Sequence, residues 1–146
     1  MEIPEYVTKP EVKKFCQALG IRDWTTLTKA EVLPDEAEII LAEVNQSGLN
    51  IDPEDFRVGL EVELEHGLHD TEVNVTNNHP LLTGRIVLAH LKESLDYYKR
   101  LEVAELEGDL LKAIVAKNSA KVQSLYPRLA QARRVLAQAE VEQLDE

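Results

Sequence analysis

Residues 52–67 read DPEDFRVGLEVELEHG, and this stretch decides the fold class. It opens with Asp52 and Pro53, the pattern of a helix start in which an aspartate caps the first amides and a proline takes the first helical position. Apolar residues then recur at helical spacing. Gly67 suits the left-handed turn that often ends a helix. The stretch therefore predicts an amphipathic α-helix from residue 53 to about residue 66.

The same helical period dominates the rest of the chain. Prolines and glycines bound the segments, and only residues 72–75 suggest a weak strand. Asn77 or Asn78 is the expected cap of the helix that begins near residue 80. We predict helices over 10–19, 34–45, 53–66, from 80 past 98, 109–123 and 127–143, with a helical turn at 28–33. The predicted fold class is all-α: a compact, mostly antiparallel helical domain with a C-terminal helical hairpin.

The chain of 146 residues is long enough for one domain with its own core. Residues 1–104 form the predicted helical domain, with a central motif at 52–104, and residues 105–146 form the hairpin. The hairpin carries a thin apolar seam made of Leu106, Leu110 and Ile114, then Leu125, Leu129, Ala132 and Leu136. Such a seam fits two ordinary helices packed on the domain, or an arm for an oligomer or a protein partner.

The net charge of −11 is concentrated in one segment. Residues 35–80 hold twelve acidic groups and one basic group, Arg57, which accounts for the whole excess. This segment would repel the phosphates of nucleic acid, so nucleic acid is not an expected partner. It favours cations or a basic protein surface.

Location follows from what the sequence lacks. No apolar run approaches about 18 residues, so no membrane partner is expected. The N-terminus lacks the charged-then-apolar order of a secretory signal, which makes a cytoplasmic location the expectation. The single cysteine, Cys16, lies in an apolar series with Val12, Phe15 and Leu19 and is expected in the core.

Two pairs of residues carry the most specific chemistry. Glu63 and His66 form a Glu-x-x-His pair on the helix of residues 53–66, and His90 and Glu93 show the reverse order on the next long helix. Residues three or four apart share a helix face, so each pair can offer an oxygen and an imidazole nitrogen to one ion. If the helices pack antiparallel, the four side chains converge.

The predicted ligand set is therefore Glu63, His66, His90 and Glu93, with Thr83 and Tyr97 on the same stripe beside the ligands. Two nitrogens and two carboxylates suit Fe, Mn or Zn rather than calcium.

A structural interpretation of the same residues stays open. His66 would cap its helix as a cation, His90 would be a buried histidine held by Glu63 or Tyr97, and Glu93 would pair with a surface cation. His69 and His79 are expected to be solvent-exposed loop residues. No phosphate-binding loop or serine elbow is present, and the sequence leaves open whether the protein is an enzyme.

FRVGLEVELEHG at 56–67 and NVTNNHPLLTGRIVLAHLKESLDYYKRLEVAE at 74–105 resemble an uncharacterised family of bacteria and some viruses, a domain of unknown function. Its members carry similar ELEHG, TGxIxLAHLxE and DYYxxL motifs. The resemblance implies no activity. Members have a proline where this chain reads ESLDYY, which implies a less interrupted helix in this chain. The resemblance implies a shared motif of Glu63, Glu65, His66, Thr83, Gly84, His90, Asp96 and Tyr97.

Two functional hypotheses follow. The first is a small metal-binding helical protein with Fe, Mn or Zn held by the four ligands. The second is a non-catalytic interaction protein that forms a homo-oligomer or binds a protein partner, with the acidic segment at 35–80 docking a basic surface and the hairpin driving assembly.

Overall fold

The structure is a computed structural model that describes residues 6–145. These residues form six α-helices and two short 3-10 turns, with no strand among them, and the all-α prediction is confirmed. The chain divides into two compact units that separate between Glu93 and Ser94. The first unit contains α1 (Lys9–Leu19), α2 (Pro34–Val44), α3 (Pro53–His69) and α4 (Pro80–Glu93), and the second contains α5 (Tyr97–Val115) and α6 (Ser119–Leu144).

In the first unit, α2, α3 and α4 pack against one another. Each begins with a proline, and the Asp52 carboxylate accepts hydrogen bonds from the amides of Glu54 and Asp55 at 2.8 and 3.2 Å, as a cap of α3 should. Burial of apolar side chains is the main stabilising term for such a bundle. The core includes Val12, Cys16, Trp24, Val32, Ala37, Ile40, Phe56, Leu60, Leu64, Val87 and Leu91.

Gly84 lets α4 approach α2 closely. A Cβ atom at this position would lie 2.6 Å from Ile40 Cγ2 and 3.5 Å from Phe56 Cζ. Real Cβ atoms do not approach other atoms as closely as 2.6 Å, so a larger side chain would push the helices apart.

One buried carboxylate ties the loop before α2 to the helix. Glu36 is 3 % exposed and accepts hydrogen bonds from the Arg22 guanidinium at 2.9 and 2.7 Å, from the Arg22 amide at 3.1 Å and from the Leu33 amide at 3.0 Å. Burial raises the pKa of Glu36, but these hydrogen bonds outweigh it, so the pKa lies below its ordinary value. The side chain is therefore charged at neutral pH.

The second unit is an antiparallel hairpin of α5 and α6. Two ion pairs join the helices on one side, Arg100 with Glu140 at 3.0 Å and Glu107 with Arg133 at 2.8 Å. The two pairs are seven residues apart on each helix, which is the repeat of coiled-coil packing. The buried cluster between the helices contains Leu106, Ala113, Leu125, Leu129 and Ala132, with Val103, Leu110 and Val122 packed against it.

Several predicted element boundaries are wrong. The helix predicted from residue 80 past residue 98 ends at Glu93, and α5 begins at Tyr97. The break is fixed by Asp96, which is 2 % exposed and accepts hydrogen bonds from the Ser94 hydroxyl and the Arg100 guanidinium. The helix is thus interrupted at ESLDYY although the proline is missing. The first helix of the hairpin begins at Tyr97, ahead of the expected boundary between 104 and 105.

Other differences are local. Residues 28–33 are not helical, and residues 71–73 form a 3-10 turn where a weak strand was possible. Pro127 does not begin a helix but lies inside α6. Ile114, expected in the seam, is 55 % exposed, and the preceding Ala113 is buried in its place.

Candidate functional site

Two of the four predicted ligands meet on the packed pair α3 and α4. His90 Nε2 lies 3.6 Å from Glu63 Oε1, and the two side chains are 31 % and 18 % exposed. The pair sits at the edge of the helix contact, partly open to solvent. These two atoms lie farther apart than a hydrogen bond allows, but both can contact one cation.

The other two predicted ligands, His66 and Glu93, are exposed. On α3 the buried stripe runs through Leu60, Leu64 and Gly67, one position beyond the stripe that the sequence suggested. Glu63 therefore flanks the core and does not face into it. On α4 the buried position is likewise Leu91 and not His90.

Thr83 and Tyr97 lie in different units. Thr83 is buried in α4. Tyr97 begins α5, where its ring lies edge-on to Tyr98 with 5.1 Å between the ring centroids. Across residues 6–145, no group of three or more His, Cys, Asp or Glu side chains is arranged to hold a metal ion. A pair of donors alone leaves a transition metal short of the four ligands that zinc sites ordinarily have.

Asparagine side chains hold the loop between α3 and α4 in place through hydrogen bonds. The Asn74 amide group donates to the Gly67 carbonyl at 3.2 Å and to Asn78 Oδ1 at 2.8 Å, and the Asn78 amide donates to the Trp24 carbonyl at 3.3 Å. Asn77 and Asn78 both have positive φ, 48° and 61°, which asparagine tolerates better than most residues. These side chains have a structural role.

His79 contradicts the expectation of a solvent-exposed loop histidine. It is 6 % exposed, and its Nδ1 accepts hydrogen bonds from the Leu81 and Leu82 amides at 3.2 and 3.4 Å, so it caps α4 in place of Asn77 or Asn78. Its ring packs 4.6 Å from the ring of Phe15. The Phe15 side chain is itself 45 % exposed. His69 is exposed as predicted.

The hairpin carries a feature that the sequence did not reveal. Its buried seam uses one side of α5, and a second stripe at spacings of four, three and four follows the opposite side. We call Ala104, Gly108, Leu111 and Val115 the outward stripe. Leu111 is 63 % exposed and Val115 75 %. A Cβ atom added at Gly108 would meet nothing within 4 Å. The spacing was readable from the sequence; which of the two stripes faces α6 was not.

Charge is also uneven along the hairpin. Residues 110–130, which flank its turn, hold four basic and no acidic residues. The rest of 94–146 holds nine acidic and four basic residues, a net charge of −5. The hairpin is therefore positive at its turn and negative at its open end.

These features define a small helical protein with a His–carboxylate pair and a hairpin that exposes an apolar stripe. The chain belongs to the family described as "Protein of unknown function (DUF5661)", whose model matches residues 12–107. The match begins well before residue 56, where the resemblance in the sequence began. Neither the curated proteins nor the solved structures contain a match to the chain. No helix within residues 6–145 has the length and apolar character needed to cross a membrane.

Proposed function

We propose that this chain is an interaction and assembly protein whose second unit is the arm that binds another protein chain. The observation that carries the proposal is the outward stripe, in which Leu111 and Val115 are mostly exposed on the side of α5 that faces away from α6. Residues at alternating spacings of four and three are those that a partner helix buries in a coiled coil.

Gly108 gives the proposal further support. Glycine inside a helix costs about 1 kcal/mol relative to alanine. Packing within the described residues does not require glycine at this position, because an added Cβ would meet nothing within 4 Å. A partner that lies close to α5 at this point would explain why the position has no side chain.

The acidic segment of the first unit suits a second contact of different chemistry. A basic protein surface complements a segment with this excess of carboxylates. Its exposed acidic residues include Asp35, Glu38, Glu43, Asp70 and Glu72.

Site-specific photo-crosslinking in cells that express the full chain tests the proposal. A benzophenone amino acid placed at position 111 is expected to yield covalent adducts with protein. The same group at Gln131, an exposed position on α6, is the matched control and is expected to yield few. A folded chain that forms no adduct through position 111 would contradict the proposal.

A transition-metal site is the second candidate, favoured by the 3.6 Å between His90 Nε2 and Glu63 Oε1. This pair of donors suits Fe, Mn or Zn, and His66 and Glu93 are the residues that would have to add further donors. Elemental analysis of tag-free protein tests it. Stoichiometric metal that is lost in Glu63→Ala and His90→Ala would support a site, whereas metal-free protein from metal-supplemented cells would count against it.

A further inference from the structure

We propose that the partner of the outward stripe is a second copy of this chain, bound antiparallel through α5 so that two hairpins form a four-helix arrangement. This inference rests on the proposed function and names the partner. It is carried by the sizes of the residues in the outward stripe, by the charges that flank it and by the charge difference between the ends of the hairpin.

The sizes of the residues define a register. If Gly108 of one α5 lies opposite Leu111 of the other in an antiparallel pair, Ala104 lies opposite Val115. By symmetry the same contacts occur twice, so four layers each join one small and one large residue. The open space above Gly108 then receives Leu111 of the second copy, and the exposed side chains of Leu111 and Val115 become buried.

The flanking charges agree with this register. Glu105 and Lys112 lie on the same edge of the outward stripe, and in the antiparallel register Glu105 of one chain lies near Lys112 of the other. Glu105 is exposed, and its side chain has no hydrogen bond or ion pair with the described residues. If the two helices were shifted by one heptad, Glu105 of one chain would lie near Glu105 of the other, and the two negative charges would repel each other.

A parallel pair would also bring opposite charges together, Glu105 with Arg100 and Lys112 with Glu107. Those partners are already engaged, because Arg100 pairs with Asp96 and Glu140, and Glu107 pairs with Arg133. The antiparallel arrangement uses Glu105 and Lys112, and Lys112 pairs with Asp109 on its own helix at 3.3 Å in an exposed contact.

The charge difference along the hairpin decides the direction. An antiparallel pair places the positive turn region of one hairpin, residues 110–130 with net charge +4, beside the negative open end of the other, with net charge −5. A parallel pair would place like charges side by side at both ends. Antiparallel copies related by a twofold axis also form a closed dimer and not a filament.

Sedimentation equilibrium of the full chain tests the dimer. Between about 1 µM and about 100 µM, we expect the mass to rise from that of the 16.5 kDa monomer towards twice that value, since small interfaces are typical of weak complexes. Leu111→Asp is expected to raise Kd roughly 100-fold, because both copies lose a buried apolar side chain. Gln131→Asp, the matched control on α6, is expected to leave Kd unchanged, and circular dichroism confirms that both variants fold.

A charge exchange tests the direction. Glu105→Lys and Lys112→Glu are each expected to raise Kd about tenfold at low salt, and the double variant to restore it, because the antiparallel pairs are then re-formed with reversed signs. In a parallel dimer the double variant would set a basic side chain near Arg100 and an acidic one near Glu107. Its Kd would then stay at or above the values of the single variants, which would overturn the antiparallel arrangement.

A chain that remains monomeric throughout the concentration range overturns the dimer. If position 111 still captures a different protein in cells, the proposed function stands and a second copy of the chain is not the partner. A monomeric chain without adducts at position 111 overturns both.

Discussion

At the scale of single residues, His79 connects the hydrogen-bonded loop between α3 and α4 to the start of α4. Burial is the main reason that the pKa of His79 lies below its ordinary value, and the charge of Arg85 lowers it further while that of Glu11 raises it. The neutral imidazole accepts hydrogen bonds from the Leu81 and Leu82 amides through Nδ1. Protonation would replace this acceptor with a donor and remove the cap.

The pH dependence of stability tests this role. A histidine with a lowered pKa contributes stability that is present above the unfolded value of about 6.5 and is lost as the pH falls through the folded value. We predict that urea denaturation between about pH 7.5 and pH 5.5 shows a smaller loss of stability for His79→Asn, whose side chain can still cap but cannot titrate. Equal losses in the two proteins would contradict the assignment of His79 as a neutral cap.

Gly67 and Gly108 are helical glycines in opposite environments. A Cβ at Gly67 would lie 2.8 Å from Asn78 Oδ1 and 2.9 Å from Asn74 Cγ, whereas one at Gly108 would be free. We predict that Gly67→Ala lowers the free energy of unfolding by about 1–3 kcal/mol. Gly108→Ala, measured in dilute solution, should raise it by up to about 1 kcal/mol. Urea denaturation measures both, and a stabilising Gly67→Ala would show that the loop is not locked.

The candidate site shows where residue-level prediction from the sequence ends. Glu63 and His90 do approach each other, as the spacing on the two helices suggested. The sequence allowed the buried stripe of α3 to continue from Leu60 to Glu63 or to Leu64, because both spacings lie on one helix face. Packing against α2 and α4 selects Leu64, so His66 faces solvent. That choice depends on tertiary contacts.

At the scale of elements, helix starts with local signals were predictable, and breaks made by tertiary contacts were not. Asp52 and Pro53 begin α3 where the sequence placed its start. The break before Tyr97 depends on the burial of Asp96, which the neighbouring residues do not reveal. At Pro127 the sequence predicted a helix start, but α6 continues through this residue. Packing against α5 keeps the helix intact although proline disfavours a helix interior.

Replacement of Pro127 tests whether α6 is continuous through this residue. A proline inside a helix lacks the amide that the helix requires and costs about 3 kcal/mol. Its side chain is exposed, so replacement leaves no cavity. We predict that Pro127→Ala raises the free energy of unfolding by about 1–3 kcal/mol in urea denaturation, while Gln131→Ala changes it by less than about 0.5 kcal/mol. A destabilised Pro127→Ala would contradict a continuous α6.

At the scale of the whole molecule, each unit contains one buried carboxylate held by an arginine, Glu36 with Arg22 and Asp96 with Arg100. Burial raises the pKa of each carboxyl, but the hydrogen bonds outweigh it and the net pKa is lowered. Such groups contribute stability above their unfolded pKa values of about 4, and this contribution is lost as the pH falls through the lower folded values.

Acid denaturation measures the effect. We predict that Glu36→Gln lowers the free energy of unfolding at pH 7 by roughly 1–3 kcal/mol, since it weakens charge-assisted hydrogen bonds with a partly exposed arginine. It should also reduce the loss of stability below about pH 4. Glu38→Gln, an exposed neighbour on α2, is the control and should change neither. If the stability of Glu36→Gln falls below about pH 4 as steeply as that of the wild type, the pair of Glu36 and Arg22 does not determine the acid denaturation.

The charge pattern of the whole chain separates the two proposed contact surfaces. Within the net charge of −11, residues 110–130 are a positive segment, and the acidic excess lies at 35–80 in the first unit. The sequence showed both segments, but only the hairpin geometry shows that the basic residues surround its turn and that an apolar stripe faces away from α6.

The most direct test of the central claim, that the outward stripe binds protein, compares photo-crosslinking from position 111 with that from Gln131 in the full chain. We predict abundant adducts at position 111, reduced by a nearby Val115→Asp substitution, and few at Gln131. Equal and low yields at the two positions in folded protein would contradict the claim.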